Sequence, residues 1–225
     1  MLLKLRAYIA LMFSFWLALS AGAAEISSSE RDEFIRAVRL DLVADVEAGL
    51  KLGIDVNMTE PYRGETALMI AVRENSNKVI DALLKTPGIA IDLRAKNGDS
   101  AIMLASYLGN LKVVKELLQR GAAINHPGWT PLHYAATAGH IELIRLLLEH
   151  HAYIDAESPN KTTPLMMASR NGNIQVVQLL IEQGADVELK NALGMTALDF
   201  AESVEQRENA ALLRQAMAAK MMRTK

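Results

Sequence analysis

One short phrase recurs five times along the chain, headed each time by Thr or Ser and continued by apolar and small residues. The copies are Thr66-Ala-Leu-Met-Ile-Ala71, Ser100-Ala-Ile-Met-Leu-Ala105, Thr130-Pro-Leu-His-Tyr-Ala135, Thr163-Pro-Leu-Met-Met-Ala168 and Thr196-Ala-Leu-Asp-Phe-Ala201. Their starts lie 34, 30, 33 and 33 residues apart. Such a period is typical of stacked helix pairs, in which one unit cannot bury its apolar face and packs on the next. The sequence therefore predicts a repeat stack with an extended surface suited to binding.

The unit over residues 128–155 shows how the phrase starts a helix. Thr130 is a good N-cap because its side-chain oxygen can accept a hydrogen bond from an unpaired amide, and Pro131 suits the first helical position. Gly139 should end this helix, since glycine readily adopts the left-handed conformation after a helix C-terminus. A second helix follows from His140, apolar on one side and charged on the other. Each unit is thus predicted to be a pair of helices.

The same offsets recur in the other units and extend to an incomplete first unit. Its apolar residues run from Phe34 to Leu50, and it closes at Asn57 with the extended step that ends later units. The predicted units are about 33–57 as an N-terminal cap, 58–94, 95–125, 126–157, 158–190, and 191–220 as a C-terminal cap. We expect residues 33–225 to form one repeat domain, preceded by a short linker over residues 24–32.

At these residues the chain resembles the ankyrin repeat family. The resemblance is carried by Gly128-Trp-Thr-Pro-Leu-His-Tyr-Ala-Ala136, Gly139-His140 and Leu146-Leu-Leu148, and it covers roughly Glu30 to Lys220. It implies an all-α solenoid of stacked helix-turn-helix units with short β-hairpin fingers.

Some positions depart from the family pattern. Lys161, Asn75 and His151 stand where glycine is usual, so His151 should hold a left-handed backbone. The finger from Asn125 to Gly128 is three residues shorter than its counterpart from Glu188 to Gly194. We expect the groove, rather than the fold, to be interrupted near Asn125.

The resemblance also places partner binding on the concave face, formed by the finger tips and the exposed positions of the first helices. Carried over position by position, the candidate partner-binding residues are Tyr62, Arg63, Glu65, Arg73, Glu74, Asp99, Tyr107, Leu108, Trp129, Thr162, Arg170, Asn171 and Met195. Aromatic residues and Arg are favoured at interface hot spots. The alternative is a packing role, in which Tyr107 and Leu108 shield neighbouring helices and the next finger partly buries Trp129.

The N-terminus has the features of a signal peptide over residues 1–23. Two positive charges precede an apolar run over residues 7–19, and small residues follow up to Ala24, which favours cleavage after Ala23. The alternative is an uncleaved anchor, because residues 7–24 carry no charge and a spanning helix needs about 17 to 25 residues. We expect a periplasmic or secreted protein without further membrane contact.

Composition narrows the function further. The chain has no cysteine, which excludes a disulfide framework and a thiol nucleophile. Removing Lys4 and Arg6 from 24 basic residues leaves 22 against 26 acidic ones, a net charge of −4 without a basic cluster. Nucleic acid is therefore not the expected partner.

No catalytic, metal or cofactor site is predicted. The sequence has no Gly-rich phosphate loop, nucleophile elbow or paired zinc-binding histidine motif. His133 and His140 occupy positions that have structural roles in the family. The adjacent His150 and His151 point in different directions rather than onto one helix face. We expect a protein that is not an enzyme and that holds neither a cofactor nor a metal.

These observations predict an exported, monomeric module that binds a protein partner. Small exported ankyrin-repeat proteins that resemble this one include accessories thought to support a periplasmic catalase and immunity partners of secreted toxins. The first hypothesis is a scaffold or chaperone-like accessory of a periplasmic enzyme, for example in oxidative-stress defence. The alternative is an immunity protein or inhibitor that blocks a secreted toxin or enzyme.

Overall fold

The computed structural model describes residues 26–223, and the predicted signal peptide, residues 1–23, lies outside this range. Twelve helices in the described residues pair along the chain as the first and second helices of six units. They are α1 Ser28–Arg39, α2 Val43–Lys51, α3 Ala67–Arg73, α4 Asn77–Lys85, α5 Ala101–Tyr107, α6 Leu111–Gln119, α7 Pro131–Ala138, α8 Ile141–Glu149, α9 Pro164–Asn171, α10 Ile174–Glu182, α11 Ala197–Ser203 and α12 Arg207–Arg223. The all-α repeat architecture predicted from the phrase is confirmed.

The recurring phrase starts the first helix of units two to six as predicted. The hydroxyl oxygen of Thr66 accepts a hydrogen bond from the backbone N–H of Met69 at 3.2 Å, which satisfies one amide of the first turn. Helix α7 begins at Pro131, and Gly139 ends it with a φ of 86°. A side chain at Gly139 would also be obstructed, because its Cβ would lie 2.4 Å from Nδ2 of Asn173 in the next unit.

The first unit begins earlier than the repeat register predicts. Helix α1 starts at Ser28, inside the segment expected to be a linker. The cause is local, because Ser27 and Glu30 cap each other: the Ser27 N–H donates to the Glu30 carboxylate at 2.8 Å, and the Glu30 N–H donates to the Ser27 hydroxyl at 3.2 Å.

One apolar seam runs through all six units. Small residues allow the first helices to approach closely, and they are fully buried in successive units at Ala71, Ala105, Ala135, Ala168 and Ala201. The first helices of units two to six pack tightly on one another, whereas the second helices pack more loosely. The two sides of the stack therefore differ in how closely successive units approach each other.

Polar contacts repeat between units alongside the apolar seam. The Nε2–H of His140, just before α8, donates to the backbone oxygen of Tyr107 at 2.9 Å. Asn173 occupies the same position one unit later and donates to the oxygen of Gly139 at 3.4 Å. The second helices of units four and five are therefore tied to the end of the first helix of the unit before.

The fingers between units are tight turns rather than β-hairpins. Within residues 26–223, the isolated bridge between Thr59 and Thr66 is the one strand-like pairing. Four fingers are instead closed by backbone hydrogen bonds at equivalent positions. These bonds run from the N–H of Glu60 to the oxygen of Glu65 at 2.9 Å, Ala95 to Asp99 at 2.9 Å, Ser158 to Thr162 at 3.0 Å and Asn191 to Met195 at 3.0 Å.

Positions where glycine is missing keep the left-handed backbone. His151 has a φ of 65°, as predicted, and Lys161 and Asn75 have φ values of 60° and 58°. A non-glycine residue in this conformation carries strain, which the packed units on either side maintain.

Among residues 26–223, none of the helices combines the length and the apolar character needed to cross a bilayer.

Candidate functional site

The candidate site is the side of the stack that carries the fingers and the exposed positions of the first helices. We call it the finger face, defined by residues 58–65, 93–99, 126–129, 156–162 and 189–195 of the fingers, and by residues 73–74, 107–108, 137–138 and 170–171 of the first helices. The fingers are numbered two to six, after the unit whose first helix each precedes. These segments include all the residues predicted to bind a partner.

Asn and Asp side chains hold the bases of the fingers in register. The carboxamide of Asn57 donates to the oxygen of Gly88 at 2.8 Å and accepts the N–H of Ala90 at 2.8 Å, one unit away. Asn125 makes the same pair of bonds to His151 and Tyr153. Each bonds across one repeat, so the fingers are spaced by side-chain contacts that the sequence analysis missed. The recurring Asn or Asp at the end of each extended step was the available signal.

The tips of the fingers are also linked, but not throughout the stack. The N–H of Lys96 donates to the oxygen of Arg63 at 2.8 Å, and the N–H of Ala192 donates to the oxygen of Asn160 at 2.8 Å. In the described residues, the short fourth finger makes no such tip-to-tip backbone bond with the third or the fifth. The expected interruption near Asn125 is therefore present as a break in the row of bonded tips.

The N-terminal part of the finger face is an ion-pair cluster. Arg73 contacts the carboxylate of Glu65 at 2.6 Å and that of Glu74 at 3.1 Å, while Arg63 lies 3.9 Å from Glu65. Tyr62 stands beside this cluster with 86% of its surface exposed. Glu65 requires a correction, because it is only 6% exposed and its carboxylate is engaged by Arg73 rather than presented to a partner.

The middle of the finger face is aromatic and apolar. Tyr107 is 51% exposed and its neighbour Leu108 is 47% exposed. The ring of Tyr107 meets that of Tyr134 edge-on, with centroids 6.3 Å apart. The hydroxyl of Tyr134 donates to the carboxylate of Asp99 on the third finger. Burial, reinforced by this hydrogen bond, raises the pKa of Tyr134 and keeps its phenol protonated.

Tyr134 joins the site although the sequence analysis did not select it. It stands four residues after Thr130, where the register predicts packing. Its ring fixes Tyr107 on one side and its hydroxyl fixes Asp99 on the other. One edge of the Tyr107 ring therefore packs within the stack, as the packing alternative expects, while half of the residue remains exposed to a partner.

Trp129 lies half-buried at the short fourth finger, above His133. The two rings meet edge-on with centroids 5.2 Å apart. His133 is fully buried, and burial lowers its pKa to about 4, so the imidazole is neutral at ordinary pH. Because a carbonyl can only accept, Nε2 of His133 donates to the oxygen of Thr162 at 2.9 Å, and Nδ1 then accepts the N–H of Thr130 at 3.2 Å.

The C-terminal candidates divide into exposed and buried side chains. Arg170 is exposed, as is Asn171, whose carboxamide donates to the oxygen of Thr137 at 2.8 Å. Met195 is half-buried and packs against the core. Thr162 requires a correction, because it is only 2% exposed and its carbonyl is occupied by His133. It holds two units together instead of facing a partner.

The helix pairs, the buried seam and the finger face define a helical repeat protein of the kind that presents a binding surface along its length. The chain belongs to the ankyrin repeat family: the family model described as "Ankyrin repeats (3 copies)" matches residues 35–127, 68–158, 123–191 and 153–224. Domains of this family are protein–protein interaction modules and are generally non-catalytic.

Similar curated proteins are much longer than this chain. The human SH3 and multiple ankyrin repeat domains protein 2 is 33% identical over 161 residues, which is 70% of this chain and 9% of that protein. The human SMC5-SMC6 complex localization factor protein 1 is 38% identical over 92 residues, covering 39% of this chain and 9% of that protein. The human transient receptor potential cation channel subfamily A member 1 is 30% identical over 123 residues, covering 52% and 11%. The match to each is thus confined to a small share of its length.

Proposed function

We propose that this protein is an exported, non-catalytic module that holds a protein partner on its finger face. Its role is that of a scaffold or chaperone-like accessory of a periplasmic enzyme, for example in oxidative-stress defence. The supporting observation is the exposure of Tyr107 and Leu108 in the middle of the finger face. Neither side chain is buried in the apolar seam between units. Exposed aromatic and apolar groups beside arginines are what a protein interface favours.

The proposal for export depends on the N-terminal sequence. A charged start, an apolar run and small residues before Ala24 favour processing by a signal peptidase. N-terminal sequencing of the protein from a periplasmic fraction should give a chain that starts at Ala24. A chain that retains Met1 and fractionates with the cytosol would contradict export.

Partner capture tests the function. The wild-type protein and two variants, Leu108→Asp and Leu52→Asp, would be used to capture proteins from the native envelope fraction, followed by mass spectrometry. Both leucines are exposed, but Leu52 follows α2 outside the finger face, so it is a matched control. The partner should be lost with Leu108→Asp and retained with Leu52→Asp. Equal capture by both variants would contradict binding through the finger face.

The activity of the captured partner separates the two candidate roles. A scaffold leaves an enzyme active when the finger face is saturated, whereas an inhibitor abolishes activity at stoichiometric amounts. Activity retained in the complex supports the accessory role. Complete inhibition with a Kd at or below about 1 nM would instead establish the immunity or inhibitor role.

A further inference from the structure

The charged groups of the finger face are unequally engaged. Its carboxylates are largely occupied within the chain. Glu65 and Glu74 pair with Arg73, and Asp99 accepts hydrogen bonds from the hydroxyl of Tyr134 and, at 2.7 Å, from the carboxamide of Asn97. These carboxylates have little capacity left for a cationic partner.

Glu60 is occupied in a different way, by the backbone of its own finger. Burial alone would raise the pKa of Glu60, but the backbone N–H groups of the turn donate to its carboxylate and lower the pKa overall. The N–H of Tyr62 donates at 2.8 Å and that of Glu65 at 3.2 Å. Glu60 is therefore a fixed internal anion and not part of the surface that a partner meets.

The cations of the same face are mostly free of such pairing. Lys161 and Arg170 are exposed, and no described residue forms an ion pair or a side-chain hydrogen bond with them. Lys190 is exposed as well, but its charge already helps to lower the pKa of Asp199, after the hydrogen bonds from Thr196. Arg94 and Lys96 are exposed as well and donate only to backbone oxygens and to a methionine sulfur of the chain. One carboxylate of the finger face, Glu157, is also exposed, and none of the described residues forms an ion pair with it. A face rich in unpaired cations on a chain of formal net charge −2 favours an anionic partner.

An apolar centre interrupts this cationic surface. Tyr107 and Leu108 are exposed on the third unit, and Trp129 is half-buried on the fourth. In the described part of the chain, neither the indole N–H of Trp129 nor the hydroxyl of Tyr107 has a hydrogen-bond partner. A ligand that fits must offer an apolar group to these rings, acceptors to the two donors and negative charge to the cations of the same face. A protein segment with carboxylates around an apolar side chain meets all three requirements.

We propose that the finger face binds an acidic segment of its partner, with an apolar side chain over Tyr107, Leu108 and Trp129 and carboxylates that meet Lys161 and Arg170. This inference rests on the proposed function, since it specifies the chemistry of the partner at the same surface. The cations select a segment of negative charge. The apolar centre supplies binding energy that persists at high salt, where the attraction between charges is screened.

The test is selection of binding peptides from a displayed random library on the purified wild-type protein. Selected peptides should be enriched in Asp and Glu around an aromatic or aliphatic residue. Their affinity for the K161E/R170E double variant should fall roughly tenfold or more for each reversed charge. The K78E/K115E double variant is the matched control, because Lys78 and Lys115 are exposed on second helices, away from the finger face. It should bind the peptides as the wild type does.

Three results would overturn the inference, and they differ in what they say of the proposed function. Neutral or basic peptides that lose affinity for Leu108→Asp would show a binding face that does not prefer acidic segments. If the selected peptides, whatever their charge, bind Leu108→Asp and K161E/R170E with the same affinity as the wild type, the finger face does not bind them. That result contradicts both proposals. Equal losses with K161E/R170E and K78E/K115E would show an effect of net charge alone.

Discussion

Replacing His133 with Met should remove a loss of stability that the wild type shows on mild acidification. The imidazole is fully buried and neutral, with Nε2 donating to Thr162 and Nδ1 accepting from Thr130. Burial lowers its pKa from 6.5 to about 4. At about 1.4 kcal/mol per pH unit, this difference corresponds to about 3 kcal/mol of folding free energy.

The sign follows from which state binds the proton. Between about pH 6.5 and pH 4 the unfolded chain is protonated at His133 and the folded chain is not, so the free energy of unfolding decreases as the pH falls through this window. The full contribution is present above pH 6.5 and is lost by about pH 4. At about pH 5 roughly 2 kcal/mol should already be lost.

Met is a suitable replacement because the chain uses it at the same position in other units. Met166 is equivalent to His133, and its sulfur lies 3.4 Å from the N–H of Thr163, in place of the imidazole nitrogen. Urea unfolding followed by helical circular dichroism would be measured near pH 7.5 and pH 5. The pH effect should be smaller in His133→Met by about 2 kcal/mol. His150→Gln removes an exposed histidine and controls for loss of a histidine as such. Identical pH effects in wild type and His133→Met would refute the neutral buried imidazole.

Further predictions concern the joints between units and are measured by urea or thermal unfolding. Gly139→Ala should lower the free energy of unfolding by at least about 1 kcal/mol more than Gly121→Ala does, because both glycines have positive φ but only a Cβ at position 139 would press on Asn173. Equal losses in the two variants would contradict this contact with Asn173. Leu147→Ala should lower the free energy of unfolding by about 2 to 5 kcal/mol, since Leu147 is fully buried. A variant that melts like the wild type would mean that Leu147 is not a core residue. His151→Gly should stabilise by about 0.5 to 1 kcal/mol by relieving the left-handed backbone, and a loss would show that its side chain packs.

Much of the fold could be predicted because its signals are local and repeated. The start of α7 at Pro131 and its end at Gly139 depend on neighbouring residues, and the register of one unit constrains the next. The left-handed backbone of His151 followed from the glycine found at this position in two other units. The early start of α1 was missed although the pair Ser27 and Glu30 was readable, since the register was extended only as far as the first apolar residues.

The candidate site was predicted less well, because exposure depends on residues distant in sequence. Glu65 is buried by its ion pair with Arg73, and Thr162 is buried under a hydrogen bond from His133, 29 residues away. The contact of Thr162 crosses two units, which a pattern within one repeat cannot show, and the pairing of Glu65 with Arg73, eight residues apart, depends on how the finger folds back toward its helix. Tyr134 was missed for the same reason, since only the folded stack brings it to Asp99 and makes it part of the finger face.

The affinity of the captured partner for variants of the finger face tests the central claim most directly. Trp129→Ala and Tyr107→Ala remove aromatic rings from this face, while Tyr153→Ala removes an exposed ring outside it. Binding through the finger face predicts that Kd rises about fivefold or more for the first two variants, with nearly unchanged melting, and stays within about twofold for Tyr153→Ala. An unchanged Kd for both Trp129→Ala and Tyr107→Ala, or losses of binding that merely track losses of stability, would contradict it.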